Sequence, residues 1–414
     1  MVTTNFFNIS TEQFTTSLID QTNNTRTFLL NRDLSKIQTD YNNANKMLED
    51  GVNSINKIIQ SNRGGNTGMH GFIGEHAQVL LTNSMFLAQG DKAHYSLIDD
   101  NGPVDYMYDN IMIQQKACRS GGYLGLDRIE AHANRYPFYV TSGGIYQIPK
   151  DSYITYTNLS NIPKETANKF LKPDYNLWKY VNNFNKKNPD IIIKPMNFNY
   201  DEIQVNTINK TIQQVKETNK TVYVSRREDA YQIHRPSVEE CFKISVFSAL
   251  TEGAFESSHC IYNKLTQKPL SEFNRFDVLD ISLSNVKGVG KGALKSSAVY
   301  FITNSTNISA PVASATITAA SRLTKETKDV VTGKITPQEY TKKTSWICVD
   351  AAVTVFATKI GSKYLQKILP GKLKGLSFVG PLIGNLVIIP IYNKTKTSII
   401  RKTRNMEDCT NEQC

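Results

Sequence analysis

Residues 104–117 read Val-Asp-Tyr-Met-Tyr-Asp-Asn-Ile-Met-Ile-Gln-Gln-Lys-Ala. Short runs of Ile, Val, Tyr and Met broken by Asp-Asn are the pattern of strands joined by a turn. With 111–117 as a strand, alternate side chains share a face, which groups Met112, Gln114 and Lys116. An amide and an ammonium on one face of an otherwise apolar strand are costly unless each is used, because buried polar groups need partners. Asp105, on the preceding strand of the hairpin, can reach the same end of the sheet.

Outward from this hairpin the chain alternates between helix and strand. Upstream, 11–62 carries apolar residues at three- and four-residue steps, among them Leu34, Ile37, Leu48, Val52 and Ile55, and stops at Asn62-Arg-Gly-Gly-Asn66. A second helix is expected over 69–88, with Glu75 on it, and a strand over 95–98. Downstream, the pattern predicts a helix over 123–135, ending before Pro137, and a strand over 138–141 closed by Gly143-Gly144. The order helix, two or three strands, helix, strand describes a small α/β unit.

Acid on a helix, acid on a strand, then Gln-x-Lys on the next strand resembles the restriction-endonuclease-like PD-(D/E)xK nucleases. The closest pattern is their Mrr-type branch, with Gln in place of the second acid. The resemblance covers about 68–151. It departs from the family in having Val104 before Asp105, with Pro103 one position earlier. It implies an α+β chain: an N-terminal restriction-endonuclease-like core (helix, hairpin, helix, strand) followed by a mainly α-helical domain. It also implies a site in which Asp105, the Gln114 amide oxygen and the Gln115 backbone carbonyl hold Mg²⁺ or Mn²⁺. Lys116 would orient the attacking water or steady developing phosphate charge, and Glu75 would orient Lys116 or join the metal shell. Phosphodiester hydrolysis gives these residue types a reason, since a divalent ion polarises the phosphate and lowers the pKa of bound water. Hard ions take oxygen ligands. The alternative is a structural Asp and Lys at strand ends with solvent-facing heads.

Two flanking groups could touch substrate. Arg119 opens Arg-Ser-Gly-Gly122, which can place a cation and open amides beside a phosphate; it also reads as a plain glycine turn. Lys150 ends Tyr146-Gln-Ile-Pro-Lys150, either a lip over a substrate channel or a strand end that packs Tyr146 and Ile148. His70, Glu75 and His76 lack the four-residue His spacing of a zinc helix. His132-Ala-Asn134 is a fragment too short to carry chemistry. Gly288-Val-Gly-Lys-Gly292 has no Gly-Lys-Ser/Thr and no clear preceding strand, against a nucleotide loop.

The 414-residue chain has 48 basic and 37 acidic residues, a net charge of +11. A content of 40% apolar and 21% charged residues excludes global disorder. The charge is unevenly placed. Residues 1–321 hold 32 basic and 30 acidic residues; 322–404 hold 16 and 4; 405–414 hold three acids and no base. The expected division is a helical segment 1–66, the nuclease-like core 67–155, a polar connector 156–235 with one helix near 200–218, a helical, glycine-bearing basic domain 236–404, and a tail 405–414. The 19 uncharged residues 375–393 approach a bilayer span of about 20, but contain Pro381, Asn385 and Pro390. Region 322–404 is therefore open to three readings: a soluble helical core, an anionic membrane or partner-protein contact, or a nucleic-acid-facing patch.

Six scattered cysteines without a CxxC pair, and an N-terminus without a signal pattern, point to reduced thiols and the cytosol. An Asn-, Ile- and Lys-rich composition suits an AT-rich bacterial or archaeal genome. The expected function is a metal-dependent nuclease acting on DNA in preference to RNA, as a prokaryotic defence or toxin effector. A membrane-disrupting effector with a non-catalytic α/β sensor is the competing expectation.

Overall fold

The computed structural model describes residues 2–98, 102–118, 124–265, 267, 275–306, 308–368, 387–388 and 391–401. The chain divides into two compact units, Leu30–Ile233 and Met1–Leu29 with His234–Cys414. Neither position 66 nor position 155 separates compact units.

The Leu30–Ile233 unit is built on five strands: β1 Tyr95–Leu97, β2 Tyr106–Tyr108, β3 Ile111–Gln115, β4 Ile145–Ile148 and β5 Ile192–Pro195. They lie in chain order; β1, β2 and β3 are antiparallel, and β4 and β5 run parallel to β3. Asp109 and Asn110 make the β2–β3 turn, with Asp109 at φ 50°, a left-handed conformation that Asp tolerates better than most residues. Parallel pairing requires long crossovers. The first carries α4 Leu126–Arg135 and α5 Pro137–Thr141; the second carries α6 Lys150–Ser160, α7 Lys164–Ala167 and α8 Lys172–Lys187.

The elements before the sheet are α1 Val2–Gln60, shared between the units, α2 Gly65–His76, a π-helical turn Ala77–Leu81 and α3 Thr82–Gln89. After β5 come a 3₁₀ turn Tyr200–Ile203 and α9 Ile208–Ile233. Side chains alternate across the sheet and meet different layers. Ile113 and Tyr106 are buried with Val79, and Ala117 joins Leu48, Ile55, Ile73, Met196, Ile203 and Val215. On the opposite face Tyr146, Ile148 and Ile193 pack with Leu126, Ile129, Tyr139, Val181 and Phe184. Helix thus covers both faces.

Two expectations are corrected. The strand expected over 138–141 is the helix α5, and the strand comes later, at 145–148. Pro137 sits at the first helical positions, where its fixed φ starts a helical turn. Gly144 then lets the buried Tyr139 ring lie against the backbone: a Cβ there would fall 2.5 Å from the ring. The stretch 156–235, expected to be a connector with one helix near 200–218, supplies the end of α6, all of α7, α8, β5 and the 3₁₀ turn, and α9 at 208–233. In α8, Trp178, Val181 and Phe184 at three-residue steps are all buried, so high overall polarity hid a packed helix.

In the second unit the described elements from residue 238 onward are helical: α10 Val238–Leu265, α11 Arg275–Ser305, α12 Ala310–Val331, α13 Pro337–Ile368, and a segment over 391–401. Ile19, Cys241, Ile244, Val299, Tyr300, Ala310 and Ala313 form its core. Arg26 pairs with Glu240 at 2.6 Å. The glycines of 288–292 lie inside α11, so no phosphate-binding loop forms there. Among the described residues no helix is long and apolar enough to cross a membrane; most of 375–393 lies outside them. Cys118, Cys241, Cys260 and Cys348 are unpaired thiols.

Candidate active site

The β2–β3 hairpin positions the acid and the Gln-Gln-Lys run. Asp105 immediately precedes β2 and is held by both neighbours: its N–H donates to Ile113 O at 2.9 Å, and its carbonyl accepts from Ile98 N–H at 3.0 Å. Its Oδ2 accepts from the Gln115 N–H at 2.7 Å and from the Gln114 side-chain amide. The same amide lies 3.4 Å from the Gln115 carbonyl. Asp105, Gln114 and the Gln115 backbone therefore meet at one point. Gln114 and Gln115 are both buried.

Lys116 follows β3, and its N–H donates to Gln147 O at 2.8 Å on β4. Burial pushes the Asp105 carboxyl above the usual range; the Lys116 charge and the Gln115 and Gln114 donors pull against that shift. Because β3 and β4 are parallel, Lys116 and Lys150 follow the same ends of their strands. Asp105 begins the antiparallel β2 at that end too. In open α/β sheets such a strand end is where ligands bind.

The other side chain of the strand faces the α2 layer. Gln115 Nε2 donates to Gly71 O at 3.2 Å, and a Cβ on Gly74 would fall 2.6 Å from it. Tyr106 donates to Gln147 Oε1 at 2.6 Å and reaches Gln115 Oε1 at 3.3 Å. Glu75 lies on α2, and its charge contributes to raising the buried Tyr106 hydroxyl, after burial itself and the charges of Tyr95 and Asp105. The arrangement thus joins Asp105, Gln114, Gln115 and the field of Lys116 on the β3 end, with Glu75 on the helix layer behind Gln115. Arg119 lies outside the described residues. Lys150 is exposed at the start of α6, its N–H bound to Phe198 O at 2.9 Å.

One carboxylate, one amide and one carbonyl offer oxygen only, which fits a hard divalent ion that keeps several waters. As placed, Gln114 donates through Nε2; as a ligand it would use Oε1, so binding requires this amide to turn over. No group of three or more His, Cys, Asp and Glu gathers among the described residues, so the set is poor in charge.

His132, passed over in the sequence, sits beside this cluster. Its Nδ1 lies 2.8 Å from the Tyr146 hydroxyl, and the rings of Tyr136, Tyr139 and Tyr146 surround it. Burial, then the Lys116 charge, push its pKa down to about 4, which keeps the imidazole neutral at pH 7. The one signal, His132 and Tyr136 a helical turn apart, is indistinguishable from ordinary packing in sequence. His76 is buried and bonds Ser54 Oγ through Nδ1 at 2.7 Å, while His70 packs its ring against Tyr200. No protein family, curated protein or solved structure matches this chain.

Proposed function

We propose that the chain is a metal-dependent nuclease that cleaves phosphodiester bonds of DNA, a prokaryotic defence or toxin effector. The observation that carries this reading is the meeting of Asp105, the Gln114 amide and the Gln115 backbone at one sheet end, where Asp105 feels the Lys116 charge. The order of elements, helix with Glu75, hairpin with Asp105 and Gln-x-Lys, helix α4, strand β4, supports it. The defence or toxin role rests on analogy of architecture: a nuclease-like unit joined to a helical, lysine-rich one.

Mg²⁺ or Mn²⁺, when bound, would polarise the phosphate and lower the pKa of a coordinated water. Asp105, Gln114 Oε1 and the Gln115 carbonyl would hold it. Asp105 supplies the only formal negative charge of that set, and its two N–H donors fix its direction. Lys116 would orient the attacking water or neutralise charge as it develops on the phosphate, an interaction strengthened where water is excluded. Glu75, on the helix layer behind Gln115, would orient Lys116 or join the metal shell from that side.

The test is cleavage of plasmid DNA by the full chain with Mg²⁺ or Mn²⁺. Asp105→Ala and Lys116→Ala should each lose roughly 10²-fold or more in rate, with an unchanged circular dichroism spectrum. Equal cleavage by wild type and both variants would assign the activity to a contaminant. Cleavage of RNA alone would overturn the substrate.

A further inference from the structure

Helix α11 in the second unit has two unlike faces. One is made of small residues: Gly288, Gly292 and Ser296, with Val299, are buried. A Cβ on Gly288 would lie 2.9 Å from the Gly253 Cα, and one on Gly292 would lie 3.0 Å from the Ala249 Cα. The α10 and α11 backbones thus approach as closely as small residues allow. The opposite face carries Leu283, Val286, Leu294 and Phe301, which are 46%, 68%, 77% and 53% exposed. By helical spacing these four fall within one narrow arc, with Lys287, Lys291 and Lys295 along its flank. Lys291 also reaches Glu256 at 3.3 Å. No acidic residue occurs between 281 and 325, and residues 281–404 hold 19 basic against 4 acidic residues.

We propose that this outer face of α11 is a docking surface for an anionic lipid bilayer, lying in the plane of the headgroups. An exposed apolar stripe edged by lysines matches an interfacial helix, with apolar side chains in the acyl boundary and lysine heads at the phosphates. Charge selects among occupants. A second copy placed symmetrically on the face would set the three lysines against themselves, and a nucleic acid would leave four large apolar side chains unpartnered.

The test is flotation of the full chain with vesicles of phosphatidylcholine alone and of phosphatidylcholine with phosphatidylglycerol in equal parts, at low and high salt. Wild type should float with the anionic vesicles and much less with the neutral ones. Val286→Gln/Leu294→Gln should lower partitioning about tenfold or more, since two exposed side chains lose their burial in lipid. Lys287→Gln/Lys291→Gln should lower it by roughly tenfold at low salt and remove most of the salt dependence. Melting curves of the variants within a few degrees of wild type establish that folding is kept; should Val286→Gln/Leu294→Gln melt early, Leu294→Gln alone serves. Wild type that stays unbound at low salt overturns the proposal. So does flotation untouched by the apolar substitutions, which would reduce the contact to charge alone, or a wild-type dimer that these substitutions dissociate.

Discussion

The Gln115 backbone N–H donates to Asp105 Oδ2 at 2.7 Å, so a side-chain carboxylate takes the place that a strand carbonyl would fill one residue before β2 begins. The hairpin end and the candidate site are thereby one structure. A neutral amide oxygen could accept the same bonds without carrying a charge into a buried setting. Asp105 keeps a carboxylate there although burial opposes its charge.

That opposition gives a sign. The folded-state pKa of Asp105 lies above its unfolded value, so its contribution favours folding at low pH and is lost as pH rises through the folded pKa. Asp105→Asn keeps an oxygen acceptor and removes the charge. It should melt higher than wild type at pH 8, with the gap closing toward pH 4, while DNA cleavage disappears. A variant that melts lower at every pH would make the Asp105 charge a net stabiliser.

His132 has the opposite sign. Its folded pKa, about 4, lies below the ordinary 6.5. Its contribution is therefore present above pH 6.5 and lost as pH falls toward 4. Hydrogen exchange of the β4 amides should accelerate in wild type between pH 6.5 and 4.5, after correction for intrinsic rates. His132→Gln should flatten that trend. An identical pH trend in both proteins would show that another group sets it.

Gln114→Glu places a second carboxylate beside Asp105. Without metal the two charges repel, which should lower the melting temperature and push Asp105 higher still. Added Mg²⁺ or Mn²⁺ should raise the melting temperature more in this variant than in wild type, and some cleavage should remain. A variant as inactive as Asp105→Ala, with no metal-dependent stabilisation, would make Gln114 a hydrogen-bonding residue only.

Gly143 and Gly144 separate two physical effects at adjacent positions. A Cβ at Gly144 would fall on the Tyr139 ring, whereas one at Gly143, φ +77°, would meet nothing within 4 Å. Gly144→Ala should cost about 1–3 kcal/mol by overpacking, and Gly143→Ala about 1–2 kcal/mol by left-handed strain. Denaturant titration followed by tyrosine fluorescence reads both. Equal melting of Gly144→Ala and wild type would show that Tyr139 moves without cost.

Some of this was legible before any coordinates. The Tyr-Met-Tyr and Ile-Met-Ile runs around Asp109-Asn110 announce a hairpin, because β-favouring residues flank a turn pair. The period-2 rule then groups Gln114 with Lys116. The helical reading of 236–404 matches the described elements from residue 238 onward. Other parts misled. Phe138-Tyr-Val-Thr141 has strand composition, but Pro137 and the fit of Tyr139 against Gly144 make it a helical turn.

What the sequence by itself determined is local: which segments form helix or strand, and which side chains each presents to a given face. These follow from propensity, period and turn chemistry within a few residues. Tertiary structure decided the rest. Asp105 meets the Gln115 N–H only because β2 and β3 pair in the register Tyr106↔Ile113. His132 joins the site only because the crossover through α4 returns the chain to β4, where Tyr146 waits. Such contacts depend on strand register and crossover packing, which are set by burial across the whole sheet. No short stretch of residues encodes them.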